Sequence, residues 1–99
     1  MRIINPQDFD LAAERFPQKA KALNQLRLTL ETVQPSNSAD LHNLLPSMKR
    51  FGNHKHCYRF DVGGRKGLRM VALVRIQQQT LKVEMIGTHD EYDDFTLGY

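Results

Sequence analysis

Apolar residues recur every three or four positions over the first third of the chain, which is the spacing of one face of an α-helix. A first stripe consists of Phe9, Ala12, Ala13 and Phe16, and a second consists of Ala22, Leu23, Leu26, Leu30 and Val33. Asn5 can cap the first helix, with Pro6 at its first position, and Pro17 separates the two helices. The pattern predicts a hairpin of two antiparallel helices, over 5–16 and 18–33, whose apolar faces need a partner.

The second half of the chain supplies that partner, because its apolar period changes to two. Over 56–62, Tyr58, Phe60 and Val62 alternate with polar residues and Cys57, as in a half-buried strand. The segment 68–76 is apolar on both faces in its middle, which indicates a central strand, and 80–87 alternates again. The Gly-rich segment 63–67 and the three glutamines at 77–79 predict tight turns. An antiparallel meander follows.

Three shorter elements complete the predicted architecture. Ser38 can cap a short helix over 39–45, and Thr88 can cap a final helical turn. Met1 to Ile4 can add a short edge strand. We therefore expect an α+β fold in which an N-terminal helical hairpin packs on a mainly antiparallel sheet, with a short C-terminal helix.

Composition and charge refine this picture. Ninety-nine residues with 40% hydrophobic content suffice for one core, so we expect a single domain over 1–99. The formal charge is only +3, but nine Lys or Arg residues and a single acid, Asp61, lie between Lys49 and Lys82. Five acids crowd into 84–94. Such segregation can steer a polyanion toward one face of the molecule.

The sequence also excludes several classes. A single cysteine, Cys57, rules out an intramolecular disulfide and fits a reducing compartment, where we expect a buried structural thiol. The N-terminus carries no signal-like apolar run, and no stretch approaches the roughly 18 apolar residues of a membrane span. We expect a soluble cytoplasmic protein without membrane association. Without a phosphate-binding Gly-rich loop, a Ser-centred elbow or a carboxylate pair, ATP-dependent and glycosidase chemistry are poor hypotheses.

The basic strand block is the first candidate for function. Arg59 and Arg69 fall near facing positions of the hairpin closed at 63–67, so they can converge. A phosphate-binding surface could also include Lys49, Arg50, Lys55, Arg65 and Lys66. The alternative is that these are solvated charges that keep the sheet soluble and its edges unpaired.

Two histidine patterns are the next candidates. His54 and His56 could project to one side of a strand and bind a metal, yet no further ligand completes a zinc set, so we expect no metal. The two histidines could instead transfer protons or contact phosphate. The alternative without a function is that they are polar residues at the beginning of the strand. His89 and Tyr92, three apart on the last helix, can transfer protons, or can be a capping His and a packing Tyr.

Three segments carry a family resemblance. They are 56–64 (HCYRFDVGG), 68–74 (LRMVALV) and 88–93 (THDEYD), with Leu45-Pro46-Ser47 before the sheet. Together they resemble the HigB toxins of the RelE-like superfamily over nearly the whole chain. The resemblance implies a type II toxin, a ribosome-dependent mRNA endoribonuclease that needs no metal or other cofactor. It also implies a HigA-type helix-turn-helix antitoxin as partner, in a hetero-oligomeric complex that binds DNA through the antitoxin.

The resemblance also implies roles for individual residues. Arg69 would bind the scissile phosphate, with Arg59 and Lys55 positioning the RNA backbone. His89 and Tyr92 would transfer protons, with His56 as the alternative base. Further RNA contacts would come from Lys49, Arg50, Arg65 and Lys66.

Asp61 departs from the family pattern, in which Asn is frequent at this position. An acid there would repel phosphate, so we expect it to face away from RNA or to pair with a neighbouring arginine. The competing hypothesis for the whole chain is a non-catalytic RNA- or protein-binding module, an inactivated relic of a toxin. Only the enzyme needs Arg69, His89 and Tyr92 in one place.

Overall fold

The structure is a computed structural model that describes residues 1–97. Its helices are α1 Gln7–Arg15, α2 Ala20–Thr32, α3 Ser38–Leu44 and α4 His89–Asp94, with a 3-10 turn at Pro17–Lys19. Its strands are β1 Arg2–Ile3, β2 Lys49–Arg50, β3 Cys57–Val62, β4 Leu68–Arg75 and β5 Thr80–Gly87. The predicted α+β class, the helical hairpin and the C-terminal helix are confirmed.

Within residues 1–97, the five strands form one sheet in the order β1-β5-β4-β3-β2. The meander β3-β4-β5 is antiparallel as predicted, and β1 adds the expected edge strand, parallel to β5. Sequence reasoning missed β2, whose two residues are too short to show a period. The pairing of β4 with β5 shifts register between Val71 and Ala72, which makes a β-bulge in this strand pair. The strand order puts β4, the strand that is apolar on both faces, at the centre of the sheet.

One face of the sheet packs against α1 and α2. Phe60, Met70 and Leu81 are fully buried on this face, together with Leu23 and Leu30 of α2. Burying an apolar side chain of this size contributes about 1.5 to 3 kcal/mol, so the two amphipathic elements stabilise each other. The opposite face of β3 and β4 carries the charged residues. We call it the open face.

Several element ends differ from the sequence prediction. Pro6 precedes α1 instead of occupying its first turn, and the side chain of Asn5 bonds both the N–H and the C=O of Val83 (2.8 and 2.7 Å). Asn37, not Ser38, caps α3, since its side chain accepts from the N–H of Asp40. At α1 the side chain of Asn5 is used by β5 and Pro6 offers no cap, whereas at α3 Asn37 and Ser38 are adjacent candidates for the same orphan backbone groups.

Two predictions about the later half are confirmed. Thr88 caps α4 through a capping box, in which Thr88 and Glu91 bond each other's backbone N–H groups. Cys57 is fully buried, and that burial, together with the nearby Glu84 carboxylate, raises the pKa of its thiol to about 11. Among residues 1–97, no helix is long and apolar enough to cross a bilayer.

Candidate active site

Strand register brings three charged side chains together on the open face. Asp61 on β3 lies directly opposite Arg69 on β4, and Arg59 precedes Asp61 by two residues on the same face. Asp61 Oδ1 lies 3.8 Å from Arg59 Nη1 and 3.7 Å from Arg69 Nε. One carboxylate therefore links the two guanidinium groups, which is the second of the two arrangements expected for Asp61. We call these three residues the arginine pair and its bridging acid.

The three side chains are largely covered, with 18 to 22% of each exposed. Both ion-pair contacts are too long for hydrogen bonds, and Asp61 Oδ1 and Arg69 Nε are buried without a hydrogen-bond partner among the described residues. Buried polar groups are normally paired, and a guanidinium has five donors in a planar fork that matches a phosphate. Within residues 1–97, the cluster thus retains one buried donor without a partner, Arg69 Nε, beside an acceptor without a partner, Asp61 Oδ1.

Tyr92 lies over the arginine pair. Its ring centroid is 4.7 Å from the guanidinium carbon of Arg69 and 5.8 Å from that of Arg59. The ring of Phe51, in the loop after β2, meets the rings of Tyr92 and Phe95 edge-on at 5.8 Å. These rings exclude water around the arginines, which strengthens their electrostatic field.

Helix α4 is held in place by its first turn. Arg15 of α1 makes an ion pair with Glu91, and Glu91 Oε1 accepts from the backbone N–H of Thr88 at 2.9 Å. The hydrogen bonds from Arg15 and from Thr88 lower the pKa of Glu91. A Cβ at Gly87 would lie 2.7 Å from Glu91 Oε1, so a larger residue there would displace the carboxylate that completes the capping box. The first turn of α4 thereby sets the position of Tyr92.

His89 lies on the same helix, but its neighbours differ from those of Tyr92. It lines a cavity of about 350 Å³ with Lys19, Lys66 and Leu68, at the turn between β3 and β4. Its Nε2 atom is buried and has no hydrogen-bond partner within residues 1–97. The structure therefore joins Tyr92 to the arginine pair and gives His89 a separate set of contacts.

His56 lies at the opposite end of β3 from Asp61. The five residue steps between these positions correspond to about 16 Å of extended strand. His56 has a left-handed backbone (φ 64°) and lies outside the strand, so it and His54 do not project from one strand face as the metal reading required. His54 instead stacks on Phe51, with ring centroids 6.0 Å apart.

The remaining predicted RNA-binding residues occupy two regions. Lys49 lies opposite Arg59 across β2 and β3, which puts it beside the arginine pair. Arg50 and Lys55 line a groove with His56 at the end of the sheet. Arg65 and Lys66 are exposed on the turn between β3 and β4. The basic run is thus divided among the open face, the end groove and the turn.

Sequence reasoning missed the aromatic residues around Tyr92. Phe51 follows two basic residues, and Phe95 lies beyond the last helix, so neither belongs to a periodic stripe. The only sequence signal was an apolar residue within a charged loop. Ser47 was also missed as a site residue, although its hydroxyl accepts from the backbone N–H of Asp61 at 3.1 Å.

The fold and this surface define a class of protein: a small helix-on-sheet domain with a basic, tyrosine-covered face. The family model described as the RelE-like toxic component of a toxin-antitoxin system, HigB toxin, matches residues 19–95. The chain belongs to the HigB toxin family.

Curated relatives match over nearly the full length. The mRNA interferase HigB of Escherichia coli O6:H1 is 29% identical over 99 residues, which cover 100% of this chain and 95% of that protein. The mRNA interferase toxin HigB of E. coli strain K12 is 33% identical over 96 residues, covering 97% and 91%. The mRNA interferase HigB of Shigella flexneri has the same identity and coverage.

Proposed function

We propose that this protein is a toxin that cleaves messenger RNA during translation, and that it acts as an endoribonuclease in the cytoplasm. The observation that carries the proposal is the arginine pair under Tyr92, in which the buried donor Arg69 Nε is satisfied by no described residue. The relatives named mRNA interferases support the same substrate. A HigA-type helix-turn-helix antitoxin would neutralise the toxin in a hetero-oligomeric complex that binds DNA through the antitoxin.

The chemistry asks three things of the protein. The ribose 2′-hydroxyl attacks the adjacent phosphorus, so its proton must be accepted and another must be supplied to the departing 5′-oxygen. The pentacovalent phosphorane carries more negative charge than the ground-state phosphate. Two guanidinium groups held on a rigid sheet can stabilise that charge without reorganisation, and this route needs no metal ion.

The proposed roles follow from these demands. Arg69 binds the scissile phosphate, and Arg59 positions the adjoining backbone with Lys49 beside it. Tyr92 transfers a proton at the phosphate, because its ring already contacts both arginines. His89 lines a separate cavity with Lys19 and Lys66, so its role as the second proton-transfer group requires the bound RNA to extend from the arginine pair to that cavity. The long separation from the arginine pair makes His56 a poorer base and favours a role in RNA binding.

The test is inducible expression in cells, with primer-extension mapping of messages, and the same mapping in translation reactions with and without ribosomes. Tyr92→Phe and His89→Ala should each slow cleavage by about 10² to 10⁴. Arg69→Ala should slow it by about 10² to 10³, since it removes a donor to the phosphorane. All three should relieve growth arrest.

Arg2→Ala is the matched control, because Arg2 is exposed on β1, at the other edge of the sheet from β2. It should remain fully toxic, and every variant should still bind the antitoxin. Cuts confined to translated codons support ribosome dependence, whereas equal cutting without ribosomes refutes it. If no message is cut at all, the chain is the non-catalytic binding module. If Arg69→Ala, His89→Ala and Tyr92→Phe all stay toxic, the active site lies elsewhere.

A further inference from the structure

A groove of about 600 Å³ lies at the end of the sheet where β3 begins and β4 ends. It runs between the loop before β3 and the segment leading into α3. Three cationic side chains line it: Arg50 from β2, Lys55 from the loop and Arg75 from the end of β4. Each comes from a different element, so the fold and not sequence proximity brings the charges together.

These cations are available to a ligand. Arg50, Lys55 and Arg75 are exposed, and within residues 1–97 none of them forms an ion pair with an acid. Among the described residues, no Asp or Glu lines the groove. The nearby carboxylate of Asp40 accepts a hydrogen bond from the backbone N–H of Ser36. The groove therefore has a positive field that no lining carboxylate offsets, unlike the arginine pair with its bridging acid.

The backbone of the loop is held in a costly conformation. His56 has φ 64°, which a residue with a Cβ adopts at a cost in free energy. Its carbonyl accepts a hydrogen bond from the N–H of Val74 at 2.6 Å, which fixes the loop against β4. This conformation turns His56 and Lys55 toward the groove, where Tyr58 and Gln78 add a ring and an amide.

We infer that this end groove, lined by Arg50, Lys55, His56 and Arg75, is a second RNA-binding site that takes backbone phosphates of the single-stranded message away from the cleaved bond. The inference rests on the proposed function and extends it to substrate length. Across β2 and β3, Arg50 pairs with Tyr58 in the groove and Lys49 pairs with Arg59, so the groove begins one residue away from the arginine pair. Lys49 lies beside Arg59 and Arg50 lines the groove, so two consecutive residues of β2 place one positive charge at each site.

The test is binding of a short single-stranded RNA whose 2′-hydroxyls are all methylated, so that it cannot be cleaved. Affinity is measured by fluorescence anisotropy between about 50 and about 200 mM salt. Log affinity decreases linearly with log salt. On a single strand, this decrease becomes less steep by about 0.7 for each phosphate that the protein no longer neutralises. The double variant Lys55→Gln/Arg75→Gln should therefore make the salt dependence less steep by about 1.4. It should also weaken binding equally for unrelated sequences.

The matched control is Arg2→Gln/Lys21→Gln, which removes one Arg and one Lys from exposed positions elsewhere. It should keep the wild-type slope, and thermal melting should show that both double variants are folded. If the groove variant also keeps the wild-type slope, the inference is wrong. If it loses antitoxin binding while RNA binding is unchanged, the groove is a protein interface and the inference is wrong.

Failure of the inference can be told from failure of the proposed function. A wild-type chain without measurable affinity for this RNA overturns the second site, while cleavage of messages in translation reactions decides the toxin activity separately. Conversely, if the wild-type chain cuts messages while the groove variant binds RNA as the wild type does, only the second site is refuted.

Discussion

At the scale of single residues, Asp61 has two opposing effects. It lies within 3.8 Å of both arginines and so keeps two like charges close together on one face. The same carboxylate repels an incoming phosphate, because two unit charges at this separation interact by about 1 kcal/mol in water and more in a covered site. Asp61 is therefore a positioning residue that fixes the arginines at the expense of substrate affinity.

Asp61→Asn should separate these two effects. The amide keeps the shape of the side chain but removes its charge, so RNA should bind roughly tenfold more tightly, which corresponds to about 1.4 kcal/mol. The melting temperature should fall, because the two guanidinium groups lose their counter-ion. Anisotropy with the methylated RNA and thermal melting measure the two changes.

Asp10→Asn is the matched control for this substitution. Asp10 pairs with Arg27 on the helical side of the molecule, so its loss removes a surface ion pair without altering the site. RNA affinity should stay at the wild-type value. If Asp61→Asn binds RNA no more tightly than this control, the charge of Asp61 is not felt by the substrate.

At the scale of elements, α4 is a six-residue helix that depends on its cap and on α1. Short helices are marginal alone, so the capping box of Thr88 and Glu91 and the ion pair from Arg15 decide its position. Tyr92 follows Glu91 directly, so the geometry of the site depends on contacts made outside it. A change at the cap should therefore affect the arginine pair without touching it.

Glu91 gives this element a pH dependence whose sign follows from its pKa. Hydrogen bonds from Arg15 and Thr88 lower the folded-state pKa below the ordinary value of 4.5. The stabilisation is therefore fully present above about pH 4.5 and is lost as the pH falls through the lower folded-state pKa. Because the group is exposed and screened by solvent, the effect is limited to about 0.5 to 1 kcal/mol, the range for a capping interaction.

Glu91→Gln should lower the melting temperature at neutral pH by a few degrees and leave it unchanged in strong acid, where the wild-type carboxyl is also protonated. Circular dichroism melting curves across this pH range measure the difference. The variant should also cleave messages more slowly, because Tyr92 is less well held. A constant difference from wild type at every pH would contradict the assigned role of the ionised carboxylate.

At the scale of the whole molecule, both faces of the sheet bury residues. Helices α1 and α2 cover one face, and on the other, where α4 places Tyr92 over the arginine pair, Cys57 and Val71 are also fully buried. The thiol of Cys57 consequently reports on the integrity of the whole fold. With its pKa raised to about 11 from 9.0, its thiolate fraction near neutral pH is about 100-fold below that of an ordinary cysteine.

We therefore expect Cys57 to react with a thiol reagent such as DTNB only through opening of the structure. In the native protein near neutral pH the reaction should be at least about 100-fold slower than in denaturant, and its rate should rise with urea in parallel with unfolding. Fast labelling of a protein whose circular dichroism remains native would show that the open face is accessible near Cys57.

The alternation of apolar and polar residues alone determined most of the architecture. The helical stripes, the three long strands and the cap at Thr88 were readable because each depends on neighbours within a few positions. The cap of α1 was misassigned because Asn5 bonds the distant backbone of Val83, and the cap of α3 because Asn37 and Ser38 are adjacent candidates for the same backbone groups. The basic character of the sheet and the family resemblance were also visible from residue order.

Only the tertiary structure decided which charges meet. Register set Asp61 opposite Arg69, the path of the chain after β2 brought Phe51 to Tyr92, and a left-handed backbone turned His56 toward Arg75 at the far end of the sheet. These contacts join positions that are far apart in sequence, and a shift of one residue in strand pairing would reverse the face of each side chain. Periodicity carries no information about such pairing, so the chemistry of the site depended on the fold.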